Sequence, residues 1–162
     1  MSKIEVEQPI HYVNICTFLK EHYDNLSSIK NKYLELCNQL SWSPDISEDL
    51  FVKNILKINE NGILLIGYIG DPESNYEIVS TGTVFIEPKL IRGGKSVAHI
   101  EDIIVHEKYR CKGIASAVIE FLKTYAKENG CYKIILNCRD SVKPFYEKCE
   151  FSQNGAQMTL YF

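Results

Sequence analysis

The stretch from Val97 to Leu122, VAHIEDIIVHEKYRCKGIASAVIEFL, changes period once, and that change limits the folds open to the chain. His99 to Val105 mixes β-branched residues with the adjacent carboxylates Glu101 and Asp102, as a strand would. From Ile114 the apolar positions recur at three and four residues, through Ala117/Val118, Phe121/Leu122 and Tyr125, as on one buried helix face. Between them lies Tyr109-Arg110-Cys111-Lys112-Gly113-Ile114-Ala115, a basic turn with glycine where the helix begins. A helix N-terminus exposes unpaired N–H groups and about half a positive charge, so it suits a phosphate. Glycine there lets a ligand approach the backbone closely. Two readings stand on the turn alone: a pyrophosphate cradle at residues 110–115, or an ordinary strand–helix connection containing a glycine.

The rest of the chain extends this pattern. A strand is expected near Ile10–Ile15, followed by a loop at KEHYDNLSS. Ile29 to Leu40 places Ile29, Tyr33, Leu36/Cys37 and Leu40 on one helical face, and Ser41-Trp42-Ser43-Pro44 ends it. Ser47 is a fitting N-cap for a second helix, with Glu48 and Asp49 in its first turn and Phe51, Ile55 and Ile58 on its apolar face. Ile63–Ile69 and Glu77–Glu87 predict strands of an antiparallel meander, separated by Gly70–Asn75. The loop Pro88–Lys95 follows, then the strand Val97–Val105 and the helix Gly113–Lys127. Asn129-Gly130 stops that helix, and the strand Cys131–Cys138 completes a strand–helix–strand unit with parallel strands. Val142–Lys148 reads as a short helix and Phe151–Phe162 as one or two strands. No linker or repeat interrupts the chain, so a single domain over 1–162 is expected.

Bulk properties exclude several functions. With 162 residues the chain can bury roughly 70% of its unfolded surface. A net charge of −3 argues against a nucleic-acid or anionic-membrane partner. The longest apolar run, Ile63 to Ile69, falls far short of a membrane span, and MSKIEVEQPIHYV lacks a signal-peptide pattern. A soluble cytoplasmic protein is expected. The six cysteines form no C-x-x-C pair and read as reduced thiols, and the four histidines lack metal-ligand spacing. No metal is expected.

The spacing Arg-x-x-Gly-x-Ala after an apolar strand resembles the acetyl-CoA-binding signature of the GNAT acetyltransferase superfamily. Five further words, in order along almost the whole chain, resemble the glucosamine 6-phosphate N-acetyltransferase family within it. They are Leu36–Ser41 (LCNQLS), Thr81–Glu87 (TGTVFIE), His99–Ile103 (HIEDI), Gly130–Leu136 (GCYKIIL) and Phe145–Cys149 (FYEKC). The resemblance implies an α/β (α+β) GNAT fold: a mixed, mostly antiparallel twisted sheet flanked by helices, splayed into an acetyl-CoA cleft between the strands ending near Val105 and Asn137. It implies acetyl transfer from acetyl-CoA to D-glucosamine 6-phosphate, a step that feeds UDP-N-acetylglucosamine synthesis. It also implies a homodimer through C-terminal strands at about Gln153 to Phe162.

The resemblance assigns roles residue by residue. Backbone groups of Ile103, Ile104 and Val105 would pair with the pantetheine arm as an added strand does. Arg110, Cys111, Lys112, Gly113, Ile114 and Ala115 would hold the pyrophosphate. Tyr146 alone, in a chain with ten tyrosines, reads as an amphipathic core residue. The family places it beside the CoA sulfur, as the acid for the leaving thiolate. Glu101 and Asp102, adjacent on a strand, are expected to point to opposite faces and so not to act as a pair from one chain. They read either as a salt-bridged strand or, by resemblance, as contacts to the sugar's amine and hydroxyls across a dimer interface. For the phosphate, Lys89, Arg92 and Lys95 are candidates beside the alternative of a solvated basic turn. Ser41 matches a phosphate-contacting threonine of the family, or is a helix-terminal turn residue.

Four positions depart from the family pattern. Its aspartate after the Ile-Ile-Leu strand is Asn137, and an asparagine of the CoA side is Val142. Its glycine after the Tyr-Glu-Lys-Cys word is Glu150, where a positive φ strains a side chain. Its C-terminal arginine is Tyr161, for which Arg139 is the replacement candidate. These departures keep two rivals open, a GNAT enzyme for another amine and a non-catalytic CoA-binding protein. A covalent route through Cys138 or Cys149 lacks a base evident in the sequence, so direct transfer in a ternary complex is expected.

Overall fold

The computed structural model describes residues 8–162; the reading of the extreme N-terminus falls largely on residues 1–7 and lies there outside the described residues. Strand β1 (His11–Asn14) leads into helix α1 (Ile15–Glu21), whose first turn is capped by the Asn14 side chain accepting the Cys16 N–H at 2.9 Å. A 3-10 turn, Tyr23–Asn25, connects it to α2 (Leu26–Cys37). The expected loop over Lys20–Ser28 is thus mostly helical. Ile15, Phe18, Leu19, Leu26 and Ile29 bury together there, and tertiary packing outweighs the polar composition between them. Helix α3 (Glu48–Glu60) begins at Ser47 as expected, the Ser47 hydroxyl accepting the Leu50 N–H at 3.2 Å.

Strands β2 (Gly62–Asp71), β3 (Asn75–Glu87) and β4 (Ser96–Val105) follow as a meander. Helix α4 (Ile114–Glu128), strand β5 (Cys131–Leu136) and the short helix α5 (Lys143–Lys148) complete the regular structure. The sheet order is β1-β2-β3-β4-β5, antiparallel throughout except for the parallel β4–β5 pair. Both faces are covered, which explains the near-continuous apolar run in β2. Leu64 and Ile66 pack with α1, α2 and α3, whereas Ile63 and Leu65 pack with Val118, Ile119 and Leu122 of α4. Each such buried aliphatic side chain stabilises the fold by about 1.5–3 kcal/mol relative to exposure.

The C-terminal expectation is corrected. No strand follows Leu136; residues 151–162 have no regular structure, with Met158 94%, Tyr161 89% and Leu160 77% exposed. Ala156, Met158, Leu160 and Phe162 do alternate as strand residues would. A strand also needs a partner backbone, and within one chain this segment pairs with none. Glu150 does adopt the left-handed backbone anticipated for it, at φ +72°. Its carboxylate is held by the Lys123 ammonium at 2.6 Å.

Candidate active site

The parallel β4–β5 ladder runs from Ser96/Cys131 to Ile100/Leu136 and then stops, while β4 continues to Val105. The two strands part there, as the resemblance to the GNAT fold implies. The parting opens a cleft of about 510 Å³ lined by β4 from Ile100 to Val105, by Leu136–Arg139 after β5, and by Phe145 and Tyr146 of α5. Arg110 and Ala115 line it at the mouth of α4. Gly113 caps α4 at φ +79°, a left-handed conformation, and a Cβ there would meet nothing within 4 Å. The helix mouth is therefore open to a ligand, as a diphosphate requires. Cys111 is also left-handed, at φ +63°, where most side chains are strained.

The turn carrying this mouth is braced from three sides. The Tyr109 hydroxyl donates to Glu77 Oε2 of β3 at 2.8 Å. Arg110 Nε donates to the Val105 carbonyl at 3.0 Å. The Glu107 N–H donates to Gln39 Oε1 at 2.9 Å. Gln39 has no assigned role in the sequence, where its one signal is its place in the LCNQLS word.

The carboxylates depart from expectation. Thr81 pairs with Ile104 but Thr83 with Glu101, so Asp102 and Ile103 both oppose Gly82 in a β-bulge. Asp102 takes the extra position at φ +51°. Ile100 and Ile103 pack on the α4 side and Ile104 on the α2 side, so the inward–outward alternation restarts at Asp102. Glu101 faces away from α4, and the Asp102 charge acts on Tyr33 and Cys37 of α2. Both carboxylates line one cleft, contrary to the rule for adjacent residues on a regular strand. The bulge is the physical reason.

Burial pushes the Glu101 carboxyl up from its ordinary value, and the Asp102 charge adds to this while His99 opposes it. A raised carboxyl binds its proton more tightly folded than unfolded, so its contribution to stability is full at low pH and lost as pH rises through the raised pKa. Glu101→Gln is therefore expected to resist denaturant better than the wild type at neutral pH, with the gain vanishing below the ordinary carboxylate range. Urea melts at the two pH values measure this. A variant weaker at neutral pH would mark Glu101 as a structural ion-pair partner instead.

Tyr146 is half-buried, its ring edge-on to Phe145 at 5.0 Å and to Phe151 at 6.1 Å between centroids. Burial, then the nearby Cys138 and Cys149 thiols, pushes its hydroxyl up, so it holds its proton at neutral pH. Cys138 lines the cleft and Cys149 is buried in the α4-side core. Asn137 and Arg139 line the cleft, Arg139 without an ion-pair partner among the described residues. Lys89 and Arg92 do not line it: they precede β4, at the end of the strand away from the parting. Lys89 instead pairs with Glu87 at 2.5 Å, and His99 Nε2 lies 2.7 Å from the other Glu87 oxygen. Ser41 is exposed, one residue beyond Leu40, which with Gln39 forms the cleft lip. Among the described residues no cluster of His, Cys, Asp and Glu could hold a metal, and no helix is long and apolar enough to cross a membrane.

Comparison with known proteins agrees with this geometry. The model of the acetyltransferase (GNAT) family matches residues 26–151. A glucosamine 6-phosphate N-acetyltransferase of Arabidopsis thaliana is 34% identical over 137 residues, covering 85% of this chain and 92% of that protein. One from Trypanosoma brucei brucei is 35% identical over 131 residues, 80% of this chain and 87% of its own. The crystal structure of glucosamine-6-phosphate N-acetyltransferase from Arabidopsis thaliana superposes with a TM-score of 0.81 at 28% identity, covering 96% of this chain and 99% of that one. A ribosomal-protein-alanine N-acetyltransferase from Brucella melitensis, at 18% identity and a TM-score of 0.65 over 95% of this chain and 98% of its own, shares the fold alone.

Proposed function

The chain belongs to the GNAT acetyltransferase family, among the glucosamine 6-phosphate N-acetyltransferases, and on that premise we propose that it transfers the acetyl group of acetyl-CoA to the amine of D-glucosamine 6-phosphate. The observation that carries this reading is the convergence of an open helix mouth, a free β4 edge, two carboxylates and Tyr146 on one cleft. The edge of β4 that faces away from β3 lacks a partner strand past Ile100. At Ile103, Ile104 and Val105 it receives the pantetheine arm as it would receive a strand, and the mouth of α4 receives the diphosphate. The acceptor enters from the α2 side, where Glu101 and Asp102 face. Burial makes Glu101 a stronger base than an ordinary glutamate, so it takes the proton that frees the amine. The amine nitrogen then attacks the thioester carbon, the C–N bond forms, and the C–S bond breaks with its electron pair on sulfur. Tyr146 gives its hydroxyl proton to that thiolate, and the proton that the nitrogen sheds on becoming an amide restores the tyrosine hydroxyl. Arg139 is the cation we assign to the sugar phosphate.

Steady-state turnover with glucosamine 6-phosphate against unphosphorylated glucosamine tests the reading. A clear preference for the phosphorylated sugar is expected, and equal rates would overturn it. Tyr109→Phe removes one hydroxyl that ties the cradle to β3. It is expected to raise the KM for acetyl-CoA about fivefold, the worth of one hydrogen bond, with kcat nearly unchanged. A fall in kcat alone would mean that the turn does not serve the cofactor.

The exposed, alternating segment Gln153–Phe162 supports a homodimer in which these residues find the backbone partner that one chain does not supply. Sedimentation checks the state. The free thiols at all six cysteines support placement in the reducing cytoplasm.

A further inference from the structure

The loop between α2 and α3, residues 38–47, is braced at both ends. The Asn38 amide donates to the Leu34 carbonyl at 3.1 Å and to the Ser43 carbonyl at 2.9 Å, and its oxygen accepts the Ser43 N–H at 2.9 Å. The Ser43 hydroxyl donates to the Ser41 carbonyl at 3.0 Å. At the far end the buried Lys30 ammonium donates to Asp45 Oδ1 at 2.6 Å and to the Ile46 carbonyl at 2.8 Å. This bracing fixes the backbone without covering its tip, where Trp42 is 85% exposed. Tryptophan carries more apolar surface than any other side chain and is highly buried on average, so its display on a fixed loop needs a reason.

Its position supplies one. Gln39 and Leu40, at the start of the same loop, line the cleft, and Trp42 follows two residues later. The loop leaves the C-terminal end of α2, where the Asp102 charge reaches Cys37. Trp42 does not itself line the cleft; it stands two residues past Leu40, which does, on the loop that leaves the end of α2 reached by the Asp102 charge. An amino-sugar ring has a rim of hydroxyls and a flat face of C–H groups. Carboxylates suit the rim and the amine, but the face needs a flat apolar surface. Phe145 and Tyr146, the aromatic rings that line the cleft, lie on α5 with the α4-side core.

We propose that Trp42 is the platform for the acceptor, its indole lying against the C–H face of the sugar ring. The inference rests on the amino-sugar reading given above and deepens it. Trp42 is the chain's one tryptophan, so its emission reports the contact directly. Titrating glucosamine 6-phosphate onto the CoA-loaded protein is expected to shift that emission saturably. Trp42→Ala is expected to raise the acceptor KM about three- to tenfold, the size of one aromatic contact, leaving the KM for acetyl-CoA as it was. Trp42→Phe recovers part of the loss. Emission indifferent to the sugar phosphate, or an unchanged acceptor KM in Trp42→Ala, overturns the proposal. So does emission that follows protein concentration instead, which assigns Trp42 to a contact between copies. A wild type that turns over the sugar phosphate, matched by Trp42→Ala, removes this inference and leaves the proposed function standing. A wild type without that turnover removes both.

Discussion

Tyr146→Phe is expected to lower kcat about 100-fold while leaving the KM for acetyl-CoA near its wild-type value, because a positioned general acid contributes on the order of 10²–10⁴. The ring keeps its edge-on contacts with Phe145 and Phe151 when the hydroxyl goes, so the fold has no reason to respond. The hydroxyl is pushed up by burial and the neighbouring thiols, and so remains a donor at neutral pH. A thiolate left in a half-buried site without a proton source is a poor leaving group. Assay of kcat with equal melting temperatures for the two proteins checks the prediction. Unchanged turnover would pass the proton to water and return Tyr146 to the role of a core residue.

Gly82→Val is expected to destabilise the protein by about 3 kcal/mol, the upper part of the range for overpacking, and to depress activity beyond what the lost stability explains. A Cβ at position 82 would lie 2.6 Å from Ile103 Cδ1, 2.7 Å from Val118 Cγ1 and 3.1 Å from Leu122 Cδ1. Ile103 is the bulge residue beside Asp102, and Val118 and Leu122 belong to the buried face of α4. The added methyl groups therefore push at once on the irregularity that turns Asp102 toward the cleft and on the helix whose N-terminus opens at it. Urea denaturation measures the first effect, and turnover under conditions where both proteins are folded measures the second. A variant that loses stability but keeps full activity would show that the bulge does not orient the carboxylates.

The residues that were legible in the sequence are those whose signal is local. The change of period between Val105 and Ile114, the Ser47 cap and the Asn129-Gly130 stop each act within one or two turns of chain, and each stands where the pattern places it. The parting of β4 from β5 comes from the family resemblance and not from a local pattern, and the ladder does stop at Ile100/Leu136. The bulge was not legible. It arises because Gly82 on a neighbouring strand leaves room for an additional residue, and alternation within β4 alone points Glu101 and Asp102 apart. The helical character of Lys20 to Ser28 was hidden because the apolar residues that bury it, Ile15, Phe18, Leu19, Leu26 and Ile29, flank the segment and gain their effect by packing against β2 and β3 residues far along the chain. Lys89 and Arg92 had the right charge for a phosphate, but charge carries no address, and the meander sets them at the other end of β4. The C-terminal residues show a strand's alternation without a strand's partner.

Beyond Ile100 the edge of β4 that faces away from β3 has no strand beside it and offers peptide groups to whatever lies along it. Every amino acid except proline presents the same N–H and C=O, so a grip of this kind is nearly blind to residue identity. Engineering a new acceptor into this scaffold accordingly means redrawing the rim near Trp42 and Arg139, with the inherited groove left alone.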